Sequence, residues 1–269
     1  MPISSPGGGV AVRAPLDLSL YLVTDTVMCA RVGVPATVAA AVAAGVTIVQ
    51  LRDPAASDAE LVALGRAVRA VLAGTGVPLV VNDRVDLVAA IGAQGAHVGQ
   101  GDLDVGRARA LLGGSGYLGL SVHSVEQVTA AMSCGTDTLD YLGVRPVWET
   151  SSKADAAPPG GLERLQAITT TSSWPCVAIG GITPARVDAL RSRGVASLAV
   201  ISAICGQQDV ARQHAGCEQR WISRGRPATS GEFERRRPGP PSPSRSARRA
   251  HERSCGNEST TGSPEHRRQ

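Results

Sequence analysis

The stretch Val80–Leu103, VVNDRVDLVAAIGAQGAHVGQGDL, decides how the chain is read. Two short apolar runs, Leu79–Val81 and Ala96–Val98, are each followed at once by polar groups. Asn82 and Asp83 follow the first; Gln100 and Asp102 follow the second. Between them, residues 84–92 carry apolar side chains at helical spacing and stop at Gly92, a residue suited to a left-handed helix end. The order is therefore strand, polar end, helix, strand, polar end. In a parallel sheet such polar ends gather on one rim, because each crossover helix returns the chain to the same edge.

The same unit recurs along the chain. Apolar, β-branched runs lie at 18–23 (LSLYLV), 46–51 (VTIVQL), 78–81 (PLVV), 95–98 (GAHV), 117–121 (YLGLS), 139–144 (LDYLGV), 176–180 (CVAIG) and 197–201 (SLAVI). Helical spacing is found near 35–44, 57–73, 84–92, 103–112, 124–133, 161–170, 183–193 and, weakly, 207–219. Ser57 with Glu60 forms a capping-box pattern, Thr183-Pro184 sets proline at a first turn, and Gly45, Gly92 and Gly194 stand where helices should end. Continuous apolar strands alternating with helices predict a (β/α)8 TIM barrel over 17–206. An open doubly wound sheet is the alternative, but no GxGxxG follows the first strand.

Composition divides the chain. Residues 1–206 hold 14 basic and 16 acidic side chains, whereas 207–269 hold 13 basic and 7 acidic, so the net +4 belongs to the C-terminal part. The barrel itself gives no electrostatic reason to bind nucleic acid. The expected organisation is a flexible N-terminus (1–16), the barrel (17–206), a poorly formed last helix (207–222) and a disordered Arg/Pro/Ser-rich tail (223–269). A shifted reading frame or a lineage-specific extension would each produce such a tail. The six cysteines form no CxxC pair, no signal peptide precedes the first strand, and no apolar run is long enough to span a bilayer. These features predict a soluble, cytoplasmic protein with no membrane partner.

On a barrel of this kind chemistry belongs at the C-terminal ends of the strands. Asp83 and Asp102, on adjacent strands, could share a cation; two carboxylates with water suit Mg²⁺ beside a phosphate. The competing reading is that each caps the helix after it. Arg52, two residues beyond Gln50, could grip a phosphate or pair with Asp53. Thr150, Ser151, Ser152 and Lys153, the chain's one lysine, form a hydroxyl-rich loop suited to phosphate oxygens or simply exposed. Gly180-Gly181 and Ser202 stand where many barrels build a phosphate site after strands 7 and 8. His123 could be an acid–base group or a helix-start residue. No nucleophile–base pair is evident, which suits a reaction in which a metal-held pyrophosphate departs.

The ordered runs LYLVTD (20–25), GVTIVQLRD (45–53), NDRVDLVAAIGAQGAHVGQGD (82–102), LGLSVHS (118–124), DYLGVRPVWETSSK (140–153), AIGGITP (178–184) and LAVISAI (198–204) resemble the thiamine phosphate synthase family over about 18–206. The resemblance implies a barrel that joins 4-amino-2-methyl-5-hydroxymethylpyrimidine diphosphate to a thiazole phosphate, releasing pyrophosphate through a pyrimidinylmethyl cation. It implies Asp83 and Asp102 as Mg²⁺ ligands. Gln50, Arg52, Asn82, Ser121 and Lys153 match the pyrimidine diphosphate site, with Arg52, Ser121 and Lys153 expected to carry catalysis. Thr150, Ser152, Gly181, Ile201 and Ser202 match the thiazole phosphate site. A homodimer is compatible with the resemblance. Pro54 stands where the family usually has lysine, Arg145 where it has glycine, and Glu149 where a small residue or proline is common. Two rival readings follow. One is the thiazole tautomerase branch of the superfamily, which has an SVHS-like stretch (here Ser121–Ser124) but is expected to lack the aspartate pair. The other is a barrel that binds these ligands without turnover.

Overall fold

The computed structural model describes residues 14–150, 158–207 and 221. Ser151, Ser152 and Lys153 therefore lie outside the described residues, as do most of the weak helix expected at 207–222 and the whole tail at 223–269.

Eight parallel strands close into a barrel in sequence order. They are β1 (Leu20–Val23), β2 (Ile48–Leu51), β3 (Leu79–Asn82), β4 (Gly95–Val98), β5 (Tyr117–Val122), β6 (Tyr141–Val144), β7 (Cys176–Ile179) and β8 (Ser197–Val200). The helices bounded within the described residues are α1 (Val34–Ala43), α2 (Asp58–Leu72), α3 (Val88–Ile91), α4 (Val105–Leu112), α5 (Val125–Met132), α6 (Gly161–Thr171) and α7 (Val187–Leu190). β8 pairs with β1 through Leu20↔Leu198 and Leu22↔Val200, so no strand edge is left open. The (β/α)8 expectation holds. Two helices are less regular than expected: 84–92 begins with a 3₁₀ turn at Val85–Leu87, and 183–193 is a short α-helix between two 3₁₀ turns.

Strand alternation sorts side chains into two layers. One parity faces the helices, as with Leu20, Leu22, Val49, Leu51, Leu79 and Val81. The other fills the barrel interior with Tyr21, Val23, Ile48, Val80, Tyr141, Val177 and Ala199, joined by Leu16 and Leu18 from the segment before β1. Gly119 belongs to this interior parity for a steric reason. A Cβ there would strike the Tyr141 ring and come within 2.5 Å of His97 Nδ1. Gly143 likewise makes room for the His97 ring, at 3.0 Å from its Cε1.

Local signals fix the surrounding frame. Ser57 and Glu60 form the capping box at α2: Ser57 N donates to Glu60 Oε2 at 2.8 Å, and Glu60 N donates to Ser57 Oγ at 3.4 Å. Gly92 closes α3 in the left-handed conformation at φ 76°. At the base of the barrel, Arg109 of α4 donates to Thr138 O, Gly113 O, Gly116 O and Asp140 Oδ2. The same Asp140 oxygen accepts from Leu118 N at 2.7 Å, so one clasp holds the starts of β5 and β6. Trp221 is buried, with the Arg191 guanidinium 5.6 Å from its ring centre.

Gly119→Ala should overpack the interior and cost about 3 kcal/mol, the upper end for an added core methyl against fixed backbone. A urea titration should show a lower midpoint with an unchanged slope; an unchanged midpoint would mean that Tyr141 and His97 can move aside.

Candidate active site

The strand ends deliver most of the expected residues to one cavity at the C-terminal rim. Its lining includes Gln50, Arg52, Asn82, Ser121, Thr150, Gly181, Ile201 and Ser202. Apolar wall is supplied by Val177, Ile179, Ile182 and Ala199. Asp83 and Asp102 stand just outside this lining, next to the lining residues Asn82 and Gly101.

Each sector is held by its own local bonds. Thr24, at the end of β1, accepts from Arg52 N at 3.0 Å and donates to Arg52 O at 3.4 Å, fixing the backbone from which Arg52 projects. Arg52 forms no ion pair with Asp53, whose Oδ1 accepts from Ala55 N instead. Asp83 has a left-handed backbone, φ 61°, the one such non-glycine among the described residues. Its amide donates to His97 O at 2.8 Å and its Oδ2 accepts from Asn82 Nδ2 at 2.5 Å. Asp102 Oδ2 accepts from Gly99 N at 2.7 Å. Neither aspartate caps a helix: Asp104 does so for α4, accepting from Arg107 N at 3.1 Å, and no side chain caps the turn after Asp83. Gln100 Nε2 donates to Ser121 O at 2.7 Å, tying the β4 loop to β5.

On the opposite side the β6–α6 loop is zipped to the end of β7. Val147 N donates to Ile179 O at 3.0 Å and Trp148 N to Gly180 O at 3.1 Å. A Cβ on Gly180 would lie 2.7 Å from Pro146 Cβ, and one on Gly181 would lie 2.5 Å from Glu149 O. Both glycines also have positive φ, 103° and 65°. The GG pair is thus required twice over, by backbone conformation and by close approach. Arg186 secures this corner, donating to Gly181 O at 2.7 Å while lying 5.2 Å from the Trp148 ring centre. Glu149 points to solvent.

Beneath the rim runs a feature the sequence did not announce. Gln50 Nε2 donates to Tyr21 Oη at 2.8 Å, Tyr21 Oη meets Tyr141 Oη at 2.7 Å, Tyr141 Oη meets His97 Nδ1 at 3.1 Å, and His97 Nε2 meets Ser121 Oγ at 2.8 Å. All five side chains are buried. Tyr21, His97 and Tyr141 were missed because a tyrosine or histidine within an apolar run reads as core; strand parity, which turns each inward with Gln50 and Ser121, was the usable signal. Ser121 and His97 also have the spacing of a nucleophile–base pair, contrary to the expectation that none exists. The group behind the histidine is a phenol, however, not a carboxylate. Burial, and secondarily the neighbouring Tyr21, hold Tyr141 well above its ordinary 10.0. It remains neutral and offers an imidazolium no counter-charge. His123 also lines the cavity, with its amide bonded to Gln127 Oε1 at 2.8 Å; Ser124, not His123, caps α5.

Among the described residues no group of three or more His, Cys, Asp or Glu gathers to hold a metal. The donors in the β3–β4 sector are oxygens: the carboxylates of Asp83 and Asp102 and the amide oxygens of Asn82 and Gln100. Such a set fits a hard cation that keeps water or ligand oxygens in its shell, and no thiolate is present to favour a softer one.

A closed parallel barrel with its polar groups collected above the C-terminal strand ends has the arrangement of the (β/α)8 enzymes. Comparison narrows the class. The family model described as thiamine monophosphate synthase matches residues 20–204. The thiamine-phosphate synthase of Azorhizobium caulinodans is 44% identical over 196 residues, spanning 73% of this chain and 91% of that one. The thiamine-phosphate synthase of a Psychrobacter species is 45% identical over 192 residues, spanning 71% and 90%. Among solved structures, thiamine phosphate pyrophosphorylase from Pyrococcus furiosus superposes with a TM-score of 0.69 at 29% identity, covering 77% of this chain and 97% of that one. The chain belongs to the thiamine monophosphate synthase family, and as a member it is a transferase of the thiamine-phosphate synthase type.

The buried acids give a pH signature. Burial raises the Tyr21 phenol above 10.0 despite hydrogen bonds from Tyr141 and Gln50, and pushes the Cys176 thiol from 9.0 up to about 12. For each, the folded-state value exceeds the unfolded one, so the native state keeps a proton that the unfolded chain releases. Their contribution is intact below about pH 9 and is lost as pH climbs above 9–10, by up to about 1.4 kcal/mol per pH unit for each group. Chemical denaturation between pH 8 and 11 should show this decline, and Cys176→Ala should delay its onset. A flat profile would contradict the burial of these groups.

Proposed function

We propose that the cavity joins a pyrimidinylmethyl diphosphate to a thiazole phosphate, giving thiamine phosphate and pyrophosphate. The observation that carries this reading is a single cavity with two different anion-suited sides. Arg52 and Asn82 stand on the β2–β3 side; Thr150, the Gly180–Gly181 turn and Ser202 stand on the β6–β8 side. Apolar and aromatic wall lies between them, suited to two heteroaromatic rings.

The pyrimidine lies over the interior network, with Gln50 and Ser121 available to its amino group and ring nitrogens. Arg52 holds the diphosphate. Thr150, Gly181, Ile201 and Ser202 seat the thiazole phosphate; Ser152 and Lys153, outside the described residues, are assigned by the family resemblance to the thiazole phosphate and the diphosphate respectively. The C–O bond to the diphosphate breaks with both electrons leaving on oxygen. The thiazole nitrogen then supplies the pair for the new C–N bond. No protein nucleophile is needed, in keeping with the neutral phenol behind the Ser121–His97 contact. Asp83 and Asp102 would hold Mg²⁺, which when bound supplies charge neutralisation for the departing diphosphate. The residues' own task is to keep both carboxylates on the rim: Gly99 N–H holds one, while the turn after β3 and the Asn82 amide hold the other. The retained aspartate pair favours the synthase over the tautomerase reading. We also propose a cytoplasmic setting for the reaction; no helix among the described residues is long and apolar enough to cross a membrane.

The full chain with Mg²⁺ should release pyrophosphate only when both substrates are present, in a coupled assay. Asp83→Asn retains a residue tolerant of the left-handed backbone while removing the charge. It and Asp102→Asn should each lower turnover by about 100-fold, the scale for losing one electrostatic element of a leaving-group site. Normal turnover in both variants would remove the aspartates from the mechanism.

A further inference from the structure

We infer that Arg145 is a further diphosphate-binding cation, facing the leaving group from the β6 side of the cavity. This deepens the reading above and rests on it. Arg145 is the first residue after β6 and is half-buried on the cavity wall. Its backbone is held by donation from Arg145 N to Val122 O at 3.1 Å. Its guanidinium donates to no acceptor and forms no ion pair among the described residues. Most described arginines behave differently: Arg66, Arg84, Arg109, Arg164, Arg186, Arg191 and Arg193 all bond to protein oxygens. Among the described residues, only Arg52 shares with Arg145 both a guanidinium without a described partner and a place in the cavity lining.

The position of the charge says which ligand it serves. A Cβ built on Gly99 would lie 3.2 Å from Arg145 Nη2 and 2.9 Å from Asp102 Oδ2. Guanidinium and carboxylate therefore flank the same bare Cα, and the absence of a side chain there leaves room for both. Asp102 is already committed to the Gly99 amide through that same oxygen. The Arg145 head thus lies on the Asp102 side of the cavity, away from the Gly180–Gly181 turn that Arg186 secures. A diphosphate between Arg52 and Arg145 would meet a cation on each flank. The planar fork of a guanidinium suits two phosphoryl oxygens at once.

Calorimetry of the full chain with inorganic pyrophosphate and Mg²⁺ tests this, with Arg145→Met and Arg145→Lys alongside. Because the Arg145 side chain bonds to no described residue, Arg145→Met should unfold within a few degrees of the parent chain. It should bind pyrophosphate at least tenfold more weakly and raise KM for the pyrimidine diphosphate to a similar degree. KM for the thiazole phosphate should change by less than twofold, and Arg145→Lys should recover part of the loss. Unchanged pyrophosphate affinity in Arg145→Met, a selective rise in KM for the thiazole phosphate, or tighter Mg²⁺ binding without weaker pyrophosphate binding would each overturn the assignment. Pyrophosphate binding needs no turnover. A chain that fails to join the two substrates yet loses pyrophosphate affinity in Arg145→Met would refute the proposed reaction and leave the cation's role standing.

Discussion

The structure depends on how one crowded space is filled. Gly119 and Gly143 leave their side of the barrel bare, and the Tyr141 and His97 rings occupy the room they vacate. Those rings bring polar atoms into a closed apolar tube, where an unmatched donor or acceptor costs about 1–3 kcal/mol. The cost is met by linking them to one another and outward to Gln50 and Ser121. The packing solution and the polar solution are therefore one arrangement. It ties β1, β2, β4, β5 and β6 through side chains as well as through the backbone ladder. Because the network ends at Gln50 and Ser121, the same bonds that satisfy the interior also orient two groups at the cavity surface.

Above this floor the rim separates its tasks by sector. Backbone elements that must come close, such as the β6–α6 loop and the end of β7, do so at glycines. Charged side chains are handled in two ways. Arg84 and Arg186 are spent on carbonyl oxygens of neighbouring loops and serve the scaffold. Arg52 and Arg145 line the cavity, and their guanidinium groups bond to no described acceptor. The carboxylates follow a similar division: Asp104 caps a helix, whereas Asp102, two residues earlier, bonds to the Gly99 amide and stays at the rim.

The periodicity of the chain was enough to count eight strands and to say that their polar ends share one rim. Ser57 and Gly92 marked helix ends for reasons that are wholly local, a side-chain cap and a left-handed stop. The helix at 183–193 was less legible, since its apolar spacing cannot distinguish a continuous α-helix from one interrupted by tighter turns. Of the cavity-lining residues, Arg52 and Asn82 were legible because they stand just past apolar runs, Gln50 and Ser121 because they are polar residues at the ends of such runs, and Thr150 because it belongs to a hydroxyl-rich loop. Tyr21, His97 and Tyr141 were not, because they lie inside those runs and only their inward direction gives them a role. Asp102 and Asp104 illustrate a further limit: two carboxylates so close in sequence are equivalent until the Gly99–Gly101 turn decides which one meets the helix. Arg145 was legible only as a departure from the family's glycine; its role is argued from its neighbours Gly99 and Asp102.

The Arg109 clasp has a consequence for how the molecule can change. Four carbonyl and carboxylate contacts from one guanidinium brace the underside of the barrel, at the opposite end of the strands from the rim. Alterations that weaken the clasp should erode thermal tolerance while leaving ligand selectivity alone; alterations in the upper loops should do the reverse. Robustness and specificity are thereby placed on different faces of one scaffold, free to drift under separate selection.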